Sequence, residues 1–386
     1  MTLTALTMLV GDRAKFFGIV FGLAFASLLM TQQGAIFRGI MVLVYGHITD
    51  MPQTQVWISD PGIADLDTND MINERELDNV RSIAGVRWAV PLLRRLVYAR
   101  DPANLIAPLM VLGIDDATRI GCPPPEAMVA GSIDDLMRPD TIIIDVHGAS
   151  TKLRQDLPGG GSRPLQVGDR MIMNGRSVEV VGLCRSTLAL MLFPTAYMMR
   201  SHLSAVNQGS DRAFNFILAG LDGSAPAREV CARIDAATGL VARTRKELSD
   251  YVYDFYLYKT GIPANFAIAI LLGFIVGAAI AGQTFSQYVN DNRRIFASLK
   301  AMGMRNSGLL RILLIQSSVS ALLGFSLGVG GATAFGWLLE GTDLSFRLEP
   351  TLLVISFIAV VVISLAAAAI SLRSLLRLDP ALVFRS

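Results

Sequence analysis

The chain has 386 residues, 52% hydrophobic and 17% charged, with a formal net charge of +2 and a mean hydropathy of +0.48. That apolar excess excludes an ordinary soluble globule, and the near-neutral charge gives no electrostatic footing for nucleic acid. The apolar residues are concentrated in runs, so their order along the chain carries the information.

A head bearing Arg13 and Lys15 leads into Phe16–Phe37, a run without Asp, Glu, Lys, Arg or His. It is long enough to cross a bilayer, which takes about 20 apolar residues. Met30-Thr31-Gln32-Gln33 offers no small-x-small cleavage site, so the run is read as a retained signal-anchor rather than a cleaved signal peptide. Its continuation through Gln32 and Gln33 towards Arg38 fits a helix that leaves the membrane as a stalk.

From Arg38 to about Gly261 the composition turns globular and reads as mixed α and β. Strand-like runs recur at Leu105–Ile114, Thr141–Ile144 and Phe214–Leu221. Asn174-Gly175 between Met171–Met173 and Ser177–Val181 predicts a type I′ hairpin. Cys122–Pro125 and Pro158–Pro164 read as loops. Pro226–Thr238 predicts a helix with Pro226 in its first turn, an apolar face at Val230 and Ile234, and a stop at Gly239. Thr244 and Glu247 form a capping box that opens another helix through Asp250–Lys259. That helix carries Tyr251, Tyr253, Phe255, Tyr256 and Tyr258, either an interfacial aromatic belt or a substrate-facing wall. Cys122, Cys184 and Cys231 all fall in this region and allow at most one internal disulfide, or buried free thiols.

Three further apolar runs follow, Ile262–Gln287, Ile312–Leu339 and Thr351–Leu372, again without ionisable residues. The loop between the first two carries Arg293, Arg294, Lys300, Arg305 and Arg311 against Asp291, and the tail carries Arg373, Arg377 and Arg385 against Asp379. The loop before the last run is acidic, with Glu340, Asp343 and Glu349 against Arg347. By the positive-inside rule both termini are cytoplasmic and the large domain is extracytoplasmic. The expected order is a head (1–15), a first transmembrane helix and stalk (16–40), an α/β domain (41–243) and a stalk helix (244–261). A second span (262–289), a cytoplasmic helix (290–308), a third span (309–339), a short loop (340–350), a fourth span (351–373) and a tail (374–386) complete it. Small residues at four-residue spacing, Gly18-Gly22-Ala26, Gly273-Gly277 and Gly324-Gly328, serve close helix packing within the chain or a contact between copies.

The histidines are His47, His147 and His202, and they form no metal-binding spacing. The one G-x-S-x-G, Gly324-Phe325-Ser326-Leu327-Gly328, lies inside an apolar run without the strand-to-helix turn that exposes a nucleophilic serine, and there is no phosphate loop and no carboxylate within a span. These absences point away from a membrane enzyme and from a proton-coupled relay, so no catalytic, metal or cofactor residue is assigned. Work done by this chain must draw energy from another subunit.

Asn290–Met304, NDNRRIFASLKAMGM, is short, basic and amphipathic. As a helix it places Ile295, Leu299 and Met302 on one stripe with Phe296 beside it, and Arg293, Arg294 and Lys300 elsewhere, with Gly303 as the stop. Such a helix can lie on anionic lipid. A helix held tightly between two spans can also transmit a push.

Gly273–Met304 resembles the second span and coupling helix of FtsX/MacB-type ABC permeases, with Phe296–Met302 followed by Gly303 matching the signature segment. Pro139–Leu153 and Leu378–Phe384 are similar to the DevC branch, although Asn292–Arg294 replace its His-Leu-Pro-like run. The resemblance implies an integral membrane α-helical protein of the bacterial cytoplasmic (inner) membrane. Its four transmembrane helices, one plus three, would carry a large mixed α/β extracytoplasmic domain between the first and second. It further implies a homodimeric permease driven by a separate ABC ATPase that holds ATP and Mg. Arg293, Arg294, Ile295, Phe296, Leu299, Lys300, Met302 and Gly303 would be the ATPase-coupling residues. Exporting members use a periplasmic adaptor protein and an outer-membrane channel, here for a lipid-like or amphipathic substrate. In the FtsX branch the output is instead activation of an extracytoplasmic enzyme.

Overall fold

The computed structural model describes residues 2–63, 66, 71–100, 106–156, 161–188, 193–207, 213–339, 342 and 344–376. Leu105, Glu340, Asp343, Arg377, Arg385 and the Leu378–Phe384 motif lie outside the described residues. The elements open with α1 (Thr2–Gly11), α2 (Arg13–Thr49), β1 (Val56–Ser59), β2 (Ile72–Asn73), α3 (Glu74–Arg81), β3 (Val86–Arg100), β4 (Ile106–Ile114) and β5 (Met128–Gly131). They continue with β6 (Thr141–Asp145), α4 (Val146–Ser150), β7 (Gln155–Asp156), β8 (Ser162–Arg163), β9 (Arg170–Met173), β10 (Arg176–Cys184), β11 (Thr195–Met199) and α5 (Arg200–Asn207). The remainder are β12 (Ala213–Phe214), β13 (Phe216–Leu221), α6 (Ala227–Thr238), β14 (Val241–Thr244), α7 (Arg245–Lys259), α8 (Ile262–Asp291), α9 (Arg293–Ala301), α10 (Asn306–Leu338) and α11 (Pro350–Leu376). They form two compact units, one from the described parts of Met1–Gly39 and Gly261–Ser386, the other Ile40–Thr260.

The first unit is an all-helical bundle. Four of its helices, α2, α8, α10 and α11, are long and apolar enough to cross a membrane. Hydrocarbon offers the backbone no hydrogen bonds, so helices that satisfy themselves are the form available to such runs. The spaced glycines decide how closely they approach. A Cβ on Gly22 would stand 3.0 Å from the Ala281 nitrogen, and one on Gly277 would stand 3.1 Å from the Gly22 carbonyl oxygen. On α10, a Cβ at Gly324 would meet the Ala24 nitrogen at 3.2 Å. The small-residue stripes are therefore consumed by α2 lying against α8 and α10 of the same chain. Buried polar groups add to this packing: Gln316 Nε2 donates to the Ala5 carbonyl and the Tyr288 hydroxyl, each at 2.9 Å. Ser364 Oγ donates to the Ser317 carbonyl at 2.8 Å. Before α11 the chain lies along α2, with Arg38 paired to Glu349 at 2.6 Å.

The second unit is mixed α/β. β14, β1, β13 and β3 lie side by side and antiparallel. The connection β1-α3-β3-β13-α6-β14, with α3 against α6, is that of a ferredoxin-like sheet. A long insertion leaves this sheet after β3. Strand β3 is 15 residues long and serves two partners. Val86–Leu92 pair with β13, and Leu93–Arg100 pair with β4. From there β4, β11, β6, β10 and β9 follow in turn, and β9 pairs back onto Ala99 and Arg100, closing a ring of strands. Inward positions such as Val97, Ala99, Leu109, Ile142, Met173 and Val180 are buried in one core.

The Asn174-Gly175 turn joins β9 to β10 with positive φ at both residues, 47° and 84°, the type I′ geometry that the dipeptide favours. Gly239 ends α6 at φ 71°, and the Thr244/Glu247 box caps α7 with both of its bonds present. Two expectations need correction. The Phe214–Leu221 run is two strands, because Asn215 breaks it and turns its side chain to accept the Arg94 backbone N–H at 2.7 Å. Within the expected Pro158–Pro164 loop, Ser162–Arg163 pair with Gln155–Asp156 as a small hairpin; residues 157–160 lie outside the described residues. The three cysteines are free thiols, and burial pushes Cys122 up to about 12 and Cys231 to about 11.

At the end of α2 a buried polar joint binds the helix to the ring. His47 Nε2 lies 2.9 Å from the Thr187 carbonyl and from Thr195 Oγ1, while Nδ1 lies 3.3 Å from Arg94 Nη2. An Arg can only donate, so Nδ1 accepts and the ring carries its proton on Nε2. Asp50 accepts from the Thr187 N–H at 2.6 Å and its hydroxyl at 3.0 Å.

Because Gly277 faces a neighbouring backbone while Gly282 faces open space, the two glycines differ in what a side chain costs. Gly277→Leu is expected to lose about 1–3 kcal/mol or more through overpacking, and Gly282→Leu to be near neutral. Thermal unfolding of the detergent-purified variants checks this; equal effects would show that the close approach is not the stabilising contact.

Candidate coupling site

The site is the turn from α8 to α10. Helix α8 ends where Asn292 folds back, its Nδ2 donating to the Tyr288 carbonyl at 2.9 Å. The expected fifteen-residue helix over Asn290–Met304 is thus shorter: Asn290 and Asp291 complete α8, and α9 spans Arg293–Ala301. Arg293 grips Asn290 Oδ1 through Nε at 3.0 Å and Nη2 at 2.7 Å. The helix ends in a Schellman motif. The Met304 N–H reaches the Leu299 carbonyl at 3.1 Å, the Gly303 N–H reaches Lys300 at 3.1 Å, and Gly303 holds φ 92°. Both ends of α9 are therefore set by local hydrogen bonds, before α10 begins.

One face of α9 turns inward. Phe296 and Ala297 are buried in the bundle core, and Leu299 and Met304 pack partly against it. Phe296 is only 1% exposed, so it anchors the helix and does not belong to an outward docking stripe. The outward face carries Ile295 at 46% and Met302 at 75% exposure. Arg293 and Arg294 are exposed and Lys300 is half-buried. Leu299, Met302, Gly303, Met304, Arg305, Ser307 and Gly308 line a surface groove of about 480 Å³.

The charge of this surface is shaped by a residue far away in sequence. Lys15, at the start of α2, binds Asp12 at 2.6 Å and Asp291 at 2.5 Å. The Lys15 ammonium holds the Asp12 carboxyl below its usual range. Asp291, the acid of the basic loop, is thereby matched by Lys15. Helix α1, absent from the expected elements, buries Ala5 and Leu9 in the same core. Through Gln316 it is tied to Tyr288, one turn before α9. Only the Asp291 pairing had a sequence signal, a lone acid among cations.

The aromatic residues of α7 do not form one wall. Tyr256 is buried, Tyr253 lies against Tyr45 of α2, and Phe255 packs edge-on against Tyr256. Tyr251 donates to the Ile63 carbonyl at 3.2 Å and lies under the Arg243 guanidinium, 4.1 Å from the ring centre. Tyr258 is the most exposed of the five, at 74%. Among the described residues no three His, Cys, Asp or Glu side chains converge as a metal site requires.

Residues 267–380 match the family model described as the FtsX-like permease C-terminal region. Among solved structures the chain is similar to the periplasmic region of MacB from Actinobacillus actinomycetemcomitans, at 11% identity and a TM-score of 0.37, over 55% of this chain and 95% of that one. It is also similar to the extracellular domain of the noncanonic ABC-type transporter YknZ from Gram-positive bacteria, at 15% identity and a TM-score of 0.35, over 50% and 98%.

The two faces of α9 predict opposite responses. Phe296→Ala should cost about 3 kcal/mol of stability, and Gly303→Ala about 1–2 kcal/mol through its left-handed backbone. Met302→Glu should leave the unfolding temperature unchanged. A stability loss on Met302→Glu comparable to that of Phe296→Ala would reverse the assignment of faces.

Proposed function

We propose that this chain, whose residues 267–380 are an FtsX-like permease C-terminal domain, is the membrane subunit of an ABC-type exporter driven by a separate ATPase. The observation that carries the reading is α9: a short helix pinned at both ends between two spanning helices, anchored by Phe296 and presenting Ile295, Met302 and cations outward. A surface of this kind has the chemistry of a docking point and does no bond-making of its own. In this reading ATP and Mg belong to the ATPase, and this chain is not an enzyme. Closing of the ATPase displaces α9, and α8 and α2 pass the displacement on.

Loop charge supports an inner-membrane orientation with both termini cytoplasmic and the Ile40–Thr260 unit outside. A second copy of the chain, an adaptor protein with an outer-membrane channel, membrane lipid and a lipid-like or amphipathic substrate complete the proposal. Of the coupling residues, Ile295, Met302, Arg293 and Arg294 contact the ATPase directly, Leu299, Lys300 and Gly303 shape the groove, and Phe296 holds the helix in place. Tyr258 is the α7 aromatic best placed to meet lipid or substrate. The Pro139–Leu153 segment that resembles the DevC branch has a structural use. It is β6 and α4, where Asp145 accepts from the Gly148 and Thr195 N–H groups at 2.7 Å each, although burial raises its carboxyl.

The test is co-purification from native membranes in mild detergent. The native chain should retain an ATPase, and the double variant Ile295→Glu, Met302→Glu should lose it while unfolding at the same temperature. An intact variant that keeps the ATPase, or a native chain that never carries one, would sink the docking reading. A co-purifying cell-wall hydrolase without an adaptor would assign the output to mechanical signalling.

A further inference from the structure

We propose that α1 is a latch on the last turn of α8, closed by Gln316 as its positioning residue, and that the latch regulates α9 by setting where it sits. The part α9 plays rests on the permease reading; the latch rests on packing within the helical unit alone. Helix α1 carries no ionisable side chain, so its hold is not electrostatic. Ala5 and Leu9, one turn apart, are fully buried, in the same cluster as Tyr288 of α8 and Phe296 of α9. Inside that apolar cluster Gln316 of α10 is also fully buried, and its amide nitrogen meets both α1 and α8. The Ala5 carbonyl can only accept, so the nitrogen must face it, and donation of hydrogens is the whole of the grip. The amide oxygen has no hydrogen-bond partner among the described residues.

Tyr288 is the point where this grip reaches α9. Its hydroxyl accepts from Gln316, and its backbone carbonyl accepts from both the Asn292 side chain at 2.9 Å and the Asn292 N–H at 3.1 Å. Asn292 is the residue on which the chain turns into α9. The contacts therefore run without a gap from Ala5 through Gln316 and Tyr288 to the start of α9. A second strap runs beside them, because Lys15 joins Asp12, just beyond α1, to Asp291 at the end of α8. Displacing α9 and the end of α8 must either carry α1 along or break the bond at Gln316. A buried hydrogen bond of this kind is made or broken, which gives the latch the two discrete states that a regulatory element requires.

The experiment measures the distance between spin labels at Val10→Cys on α1 and Ala301→Cys on α9, both exposed positions. It uses the full chain in bilayers, diluted with unlabelled chain, after replacement of Cys122, Cys184 and Cys231. Gln316→Leu removes the donor and should raise the released fraction about tenfold, the worth of one net hydrogen bond. Gln316→Glu donates to Ala5 only while protonated, and burial keeps such an acid protonated to about pH 8–9. It should therefore match the native chain at about pH 6 and Gln316→Leu at about pH 10, and recover on return to the lower pH. The native chain, which keeps Asp12, Lys15 and Asp291, supplies the pH control. A side chain that only fills space would give no such response, and the recovery shows that the protein stayed folded. A distance distribution unchanged by Gln316→Leu, or equal for Gln316→Glu at both pH values, overturns the latch. Co-purification separates the two readings: an ATPase retained beside an unmoved distance defeats only the latch, and a working latch without an ATPase defeats only the permease reading.

Discussion

The structure depends on how closely α2 can lie against α8 and α10. Between helices in lipid there is no hydrophobic gain from burying one apolar side chain against another, so contact must come from close packing and from buried polar bonds. Gly22, Gly277 and Gly324 supply the first by letting backbones meet where a Cβ would collide. The Gln316 amide, bridging Ala5 and Tyr288, supplies the second. Neither contact needs a charge, and the apolar runs Phe16–Phe37, Ile262–Gln287, Ile312–Leu339 and Thr351–Leu372 contain no Asp, Glu, Lys, Arg or His.

The same economy appears at α9 and at the far end of α2. At α9, local bonds from Asn292 and Gly303 define a rigid nine-residue segment whose inner face is held by Phe296. Its outer face carries the exposed Ile295 and Met302. At the far end of α2, His47 and Asp50 join the helix to Arg94, Thr187 and Thr195 through directional hydrogen bonds. Directional bonds fix rotation as well as position, which apolar packing alone does poorly.

Much of this was legible in the residues. The four apolar runs, the Asn174-Gly175 turn, the Thr244/Glu247 cap and the Gly303 stop each depend on chemistry within a few positions. What escaped depends on distance in sequence or on direction. Helix α1 has ten uncharged residues with interspersed threonines and no apolar stripe to announce it. The ring closes because β3 changes partners at Leu93 and meets β9 again at Ala99, pairings that no local pattern encodes. At α9 the hydrophobic period was visible, but whether Phe296 pointed in or out was set by the bundle behind it. Asn290 and Asp291 are polar enough to belong to either helix, and the fold back at Asn292 decided between them.

Under the proposed function, displacement of α9 moves the Ile40–Thr260 unit. Its most direct test is a spin-label distance measurement between two copies of the chain, each labelled at Val167→Cys after replacement of Cys122, Cys184 and Cys231. The chain would be reconstituted with its ATPase and a non-hydrolysable ATP analogue. The account predicts that the nucleotide shifts the distance distribution in the native chain and has no effect in the Ile295→Glu, Met302→Glu variant. An unchanged distribution with the ATPase bound, or a shift that survives the variant, would contradict it.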